Sequence, residues 1–93
     1  MITINAIIQA KQGQEDALFT ELKKVVEPSR KETGCVEYTL HQSLDDEGTF
    51  VFYETWEDET ALKAHVESGH YQAYREATAE LTESRSVHKL RKV

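Results

Sequence analysis

A helical stretch carrying His65, His70, Tyr71 and Tyr74 follows directly on a strand that ends in Trp56, the chain's only tryptophan. These side chains can bind a flat aromatic molecule and move a proton. Histidine is the residue best suited to proton transfer near neutral pH, so His65 and His70 are the candidate bases. Tyr71 and Tyr74 offer hydroxyl groups beside them. His65 sits between Leu62 and Val66 on an apolar stripe, where a histidine is as often hydrogen-bonded core as base. Trp56 reads either as a core or interface anchor or as a wall for a flat ligand. On a straight helix His65 and His70 would diverge by about 140°. They reach one cavity only if the chain bends at Ser68-Gly69. Their spacing is not the adjacent-turn HxxxH of a metal motif, and no third ligand is evident, so no metal is expected.

The elements that must position these groups follow from periodicity. Residues 2–10 alternate, with Ile2, Ile4, Ala6 and Ile8 on one face and Thr3, Asn5, Ile7 and Gln9 on the other. Asn5 is thus a polar group on a strand; if buried it needs a partner, and a ligand could supply one. Leu18, Phe19, Leu22, Val25 and Val26 recur at helical spacing. Pro28 predicts that this helix stops near Val26 or kinks and runs on toward Thr33. Gly34 tolerates positive φ and closes it. A second strand follows around Val36–Leu40, then a polar hairpin loop at Leu44–Gly48 and a third strand, Thr49–Trp56. Asp58 caps the next helix. Thr82–Ser84 read as a turn into a last strand, Ser86–Lys92.

The order β-α-β-β-α-β predicts an α+β class protein: the ferredoxin-like split βαβ, an antiparallel sheet with both helical segments on one face, in one domain spanning 1–93. The other face would hold Ile2, Ile4 and Ile8 or their counterparts, with nothing left in the chain to cover it. Exposed apolar surface costs about 25 cal/mol per Å². A second subunit laying its own sheet there gives a symmetric homodimer, a common remedy for so small a domain.

Composition narrows the partners. The formal charge of −6, with 17 acidic against 11 basic residues, repels phosphate backbones and argues against nucleic-acid or anionic-membrane binding. The basic cluster Arg85, Lys89, Arg91 and Lys92 reads as protection of an edge strand rather than an anion site. One cysteine, Cys35, permits no intrachain disulfide. There is no signal peptide, transit segment or long apolar run, so a soluble cytoplasmic protein is expected. No Gly-rich phosphate loop, nucleophile elbow or nucleotide fingerprint is present, which argues against a tightly held flavin or nicotinamide.

Gly34-Cys35-Val36-x-Tyr38, Phe52-x-Glu54-x-Trp56, Ala61-x-x-x-His65 and Ser68-Gly69-His70 together resemble the antibiotic biosynthesis monooxygenase family over essentially the whole chain. The resemblance implies a ferredoxin-like dimer whose sheets meet as an α/β barrel. It also implies one of three activities. The first is quinol-type monooxygenation: a phenol or hydroquinone is oxidised by molecular oxygen with no cofactor, His65 or His70 acting as base, and Asn5, Trp56, Tyr71, Tyr74 and Arg75 holding the substrate. The second is isomerisation of a small phosphorylated diketone by His65, His70 and Tyr71, the phosphate held by Arg75, Arg85 or Lys89. The third is haem degradation. There Asn5 fits the family's pattern, but His65 stands where that branch has tryptophan and Arg75 where it has its iron ligand, which argues against it. A dimeric binder of an aromatic metabolite, without catalysis, shares the fold.

Overall fold

A computed structural model describes residues 1–93. The chain runs β1 (Ile2–Ala10), α1 (Glu15–Lys24), α2 (Val26–Arg30), β2 (Cys35–Gln42) and β3 (Thr49–Trp56). It continues through α3 (Glu59–Val66), α4 (Gly69–Thr78), a 3-10 turn at Ala79–Leu81 and β4 (Thr82–Leu90). The strands form one antiparallel sheet in the order β2-β3-β1-β4, the ferredoxin-like arrangement. No helix is long and apolar enough to cross a membrane.

Register decides which face of β1 is the core. Ile4 pairs with Glu54, Ala6 with Phe52 and Ile8 with Phe50. Ile4, Ala6 and Ile8 therefore share a side with Phe50, Phe52 and Trp56, and pack beneath Leu18, Leu22 and Val25 of the first helical segment. This corrects the expectation that the isoleucine row lies on the bare face. Alternation separates two sets of side chains but cannot say which set meets the helices; the aromatic row of β3 does. The uncovered face instead carries Asn5 beside Tyr53 and His88, with Ile7, Tyr53 and Leu90 exposed at 39, 39 and 42%.

Breaks in the helices fall where the residues demand them. The first helical segment kinks at Val25 and resumes as α2, as Pro28 permits. Pro28 sits in the first turn of α2, where its missing N–H forfeits no intrahelical bond. Gly34 has φ +86°, and a Cβ there would stand 2.5 Å from the Ala61 Cβ. Only glycine lets the turn before β2 press against the start of α3. Asp58 accepts from the Ala61 N–H at 2.9 Å, capping α3 as expected.

At the α3–α4 break the Ser68 hydroxyl donates to the His65 carbonyl at 2.6 Å and accepts from the Tyr71 N–H at 3.2 Å. One side chain thus closes one helix and opens the next. The last strand begins four residues earlier than expected. Thr82–Ser84 are polar enough to read as a turn, yet their backbone pairs with Gln9 and Ala10 through an irregularity at that point. An edge strand tolerates such side chains because one flank of it faces water.

Candidate active site

The turn between α2 and β2 delivers Glu32 between two histidines. Glu32 Oε2 lies 2.6 Å from His65 Nδ1 and 2.8 Å from His70 Nε2. The bend at Ser68 brings His70 back toward His65, with ring centroids 6.0 Å apart. The carboxylate can only accept, so the His65 proton sits on Nδ1 and the lone pair is left on Nε2. The ring is held on three sides: Trp56 at 4.5 Å between centroids, Tyr71 at 5.0 Å and Tyr38 at 5.4 Å.

His65 Nε2 is buried with no hydrogen-bond partner. Its nearest acid is Glu54, whose Oε1 is 4.0 Å away, beyond hydrogen-bond reach. The same Glu54 oxygen accepts the Trp56 indole N–H at 3.0 Å. Burial pushes the Glu54 carboxyl up to about 7, against the lowering pull of the indole bond and of Arg85. Burial also lowers the His65 pKa, and the neighbouring Glu32 opposes that only in part. At neutral pH the imidazole is neutral and the carboxyl is poised to hold or release a proton, the pairing that acid–base chemistry requires.

Both groups face a cavity of about 190 Å³ between sheet and helices. Its apolar walls are Ile4, Ala6, Leu62, Val66 and Val87; its polar lining is Glu54, His65, Tyr71, Arg85 and Lys89. An apolar cavity of about 150 Å³ holds a benzene ring, so one substituted ring fits here. Arg85 Nη2 donates to the Tyr71 hydroxyl at 3.1 Å, and Arg85 Nε to that of Tyr74 at 3.4 Å. The guanidinium is thereby aimed along the cavity wall.

The seven residues singled out from sequence are not all at this cavity. His65 and Tyr71 line it. Trp56 is fully buried behind His65 and donates its indole N–H to Glu54. His70 and Tyr74 face a separate hollow of about 180 Å³ on the α1 side. Arg75 lies in an outer groove near Thr82 and Ser84 and reaches the Tyr71 hydroxyl at 3.4 Å. Asn5 is on the far side of the sheet from His65, its Oδ1 buried without a partner.

Two side chains of this site went unread. Glu32, in the polar run Arg30–Gly34, gives no sequence signal; only the fold brings it to the histidines. Glu54 did carry one, as a charged residue in step with Phe52 and Trp56 on a core-facing row. Arg85, read from sequence as edge-strand protection or as one of three possible phosphate holders, is turned inward by its register opposite Ile8.

The profile of the family described as antibiotic biosynthesis monooxygenase matches residues 1–77. The chain belongs to that family. Among curated relatives, YcnE of Bacillus subtilis, which carries a provisional monooxygenase name, is 36% identical over 74 residues, covering 80% of this chain and 78% of that one. The Escherichia coli protein named "Probable quinol monooxygenase YgiN" is 32% identical over 88 aligned positions, covering 83% of this chain and 84% of the relative. The crystal structure of PA3566 from Pseudomonas aeruginosa superposes with a TM-score of 0.95 at 34% identity, over 99% of this chain and 93% of that one. Membership in the antibiotic biosynthesis monooxygenase family gives the chain a monooxygenase-type function, and the cavity at His65 is where its own residues could carry one.

Proposed function

We propose that the protein oxidises a phenolic or hydroquinone-type aromatic to a quinone with molecular oxygen, using no metal or flavin. The observation that carries this reading is the free, buried lone pair of His65 Nε2, fixed by the Glu32 bond at Nδ1 and turned to an aromatic-sized cavity. His65 takes the phenol proton, and the phenolate lies near the Arg85 charge. The electron-rich anion gives one electron to oxygen, and the resulting radical pair joins at a ring carbon as a hydroperoxide. Loss of that carbon's proton and cleavage of the O–O bond release the quinone. One oxygen atom stays on the ring and the other leaves as water, so phenol plus O₂ becomes quinone plus water. Glu54, with its carboxyl near 7, protonates the departing hydroxide. The apolar walls keep competing water away.

The test is oxygen uptake with a panel of phenols and hydroquinones, read together with incorporation of ¹⁸O from labelled O₂ into the quinone. Turnover in the native protein that His65→Ala loses supports the reading; no uptake with any electron-rich phenol removes it.

The same proposal includes a homodimer closed over the uncovered sheet face. Ile7, Tyr53 and Leu90 are exposed there around the unpartnered Asn5 amide oxygen. A partner sheet would cover all four and complete a barrel.

One observation favours a second reading: Arg85 and Lys89 both line the cavity and could hold a phosphate. With His65 as base and the Tyr71 hydroxyl nearby, a small phosphorylated diketone would be enolised without oxygen. Solvent-hydrogen exchange into such a ketone under anaerobic conditions would separate this isomerase from the monooxygenase, and tight binding with neither reaction would leave a binding module.

A further inference from the structure

The geometry points to a divalent transition-metal site of the zinc class built from Glu32, His65 and His70. Each residue comes from a different element, the α2–β2 turn, α3 and α4, and their ligand atoms all lie within 4.8 Å of one another. Two imidazoles and one carboxylate are a recurrent zinc donor set that leaves a fourth position for water. Metal bonds of about 2.0–2.2 Å place tetrahedral ligand atoms about 3.3 Å apart. The present separations of 2.6 and 2.8 Å about Glu32 Oε2 must therefore open by less than an ångström, while the two ring nitrogens, within 4.8 Å of each other, must come to a similar spacing. The Glu32 side chain, in a turn, and His70, a quarter exposed, can give that much.

A second observation points the same way. To bind an ion through Nδ1, His65 must move its proton to Nε2. That nitrogen, now without a partner, would become a donor directed toward Glu54 Oε1 at 4.0 Å. A ligating histidine usually donates its other N–H to a carboxylate; Glu54 is the acid nearest Nε2 and would take that role after closing by about an ångström. The ion has its own approach, because His70 lines the hollow bordered by Glu21 and Tyr74 and not the cavity at Glu54.

The site stands on this cluster alone, whatever reaction the cavity supports. One consequence does rest on the oxidation proposed above: an ion on Nδ1 converts the Nε2 lone pair into an N–H and silences the base.

Binding is tested without substrate, so failure of the oxygen assay leaves it unaffected. The full chain, freed of metal, is titrated with Zn²⁺ against a chromogenic chelator, and His65 ¹⁵N shifts are followed in parallel. The expected result is one equivalent per chain, with His65 Nε2 changing from bare to protonated. Glu32→Gln and His70→Ala should each weaken binding by more than about 10-fold. Glu32→Gln preserves shape, and the partly exposed His70 offers a second variant should the first misfold. Binding equally tight in both variants, or an unchanged His65 tautomer at saturating zinc, would overturn the assignment.

Discussion

The Trp56 indole lies tilted by 31° against the His65 imidazole, with ring centroids 4.5 Å apart, while its N–H is spent on Glu54. Trp56 therefore acts on the candidate base from behind and touches the cavity only through its neighbours. Trp56→Phe removes the indole donor and leaves a void beside His65. It should cost about 2–4 kcal/mol of stability, summing a lost buried hydrogen bond and lost volume. Urea unfolding measures this. A variant as stable as the parent, but with weakened binding of aromatic ligands, would return Trp56 to the role of ligand wall.

His65→Ala should reduce oxygen uptake by at least about 10²-fold, the lower bound for losing a general base. Sedimentation of the variant should match that of the native protein, because His65 lies away from the uncovered sheet face. Full activity would take His65 out of the mechanism.

Glu54 makes stability depend on pH in a defined sense. Its folded carboxyl, near 7, lies above its ordinary value of 4.5, so the folded state holds the proton more tightly. The associated stabilisation is complete below about pH 4.5 and is lost as pH rises through about 7, on the order of 3 kcal/mol across the window. His65, shifted down by burial, works oppositely: its contribution is lost as pH falls below 6.5. Glu54→Gln should remove the first component, leaving a variant relatively more stable than the parent above pH 7. Thermal unfolding across that range checks it; parallel curves for the two proteins would refute it.

Gly34→Ala combines a left-handed backbone with a 2.5 Å approach to the Ala61 Cβ. Gly13 has the same φ, but open space around it. Gly13→Ala should cost about 1 kcal/mol, and Gly34→Ala at least about 2 kcal/mol from strain plus overpacking. Equal losses in denaturant titrations would mean that the contact with α3 is not tight.

Ile7→Asp should yield a folded monomer by sedimentation if the uncovered face is the dimer interface, since an unpaired charge buried there is costly. An unchanged dimer would place the interface elsewhere.

Local chemistry made most elements legible. Alternation marked β1 and β3, Pro28 the helix kink, Asp58 the α3 cap and Ser68-Gly69 the bend that gathers the histidines. Register was not legible, since β1 alone offers two chemically acceptable faces and only pairing with Phe50, Phe52 and Trp56 chooses between them. The candidate site was half legible. Histidines announce themselves by type, but Glu32 acquires its role through a contact spanning 33 residues of chain. Arg85 turns inward through pairing with a strand from the other end of the sequence.

The single hydroxyl shared by the end of α3 and the start of α4 has a consequence for how this segment can change. Each residue added or removed between Val66 and Gly69 would swing His70 by about 100° around its axis and carry it off Glu32. The connection is thus held in length by the reach of His70 to Glu32 and in identity by the two bonds of the Ser68 hydroxyl.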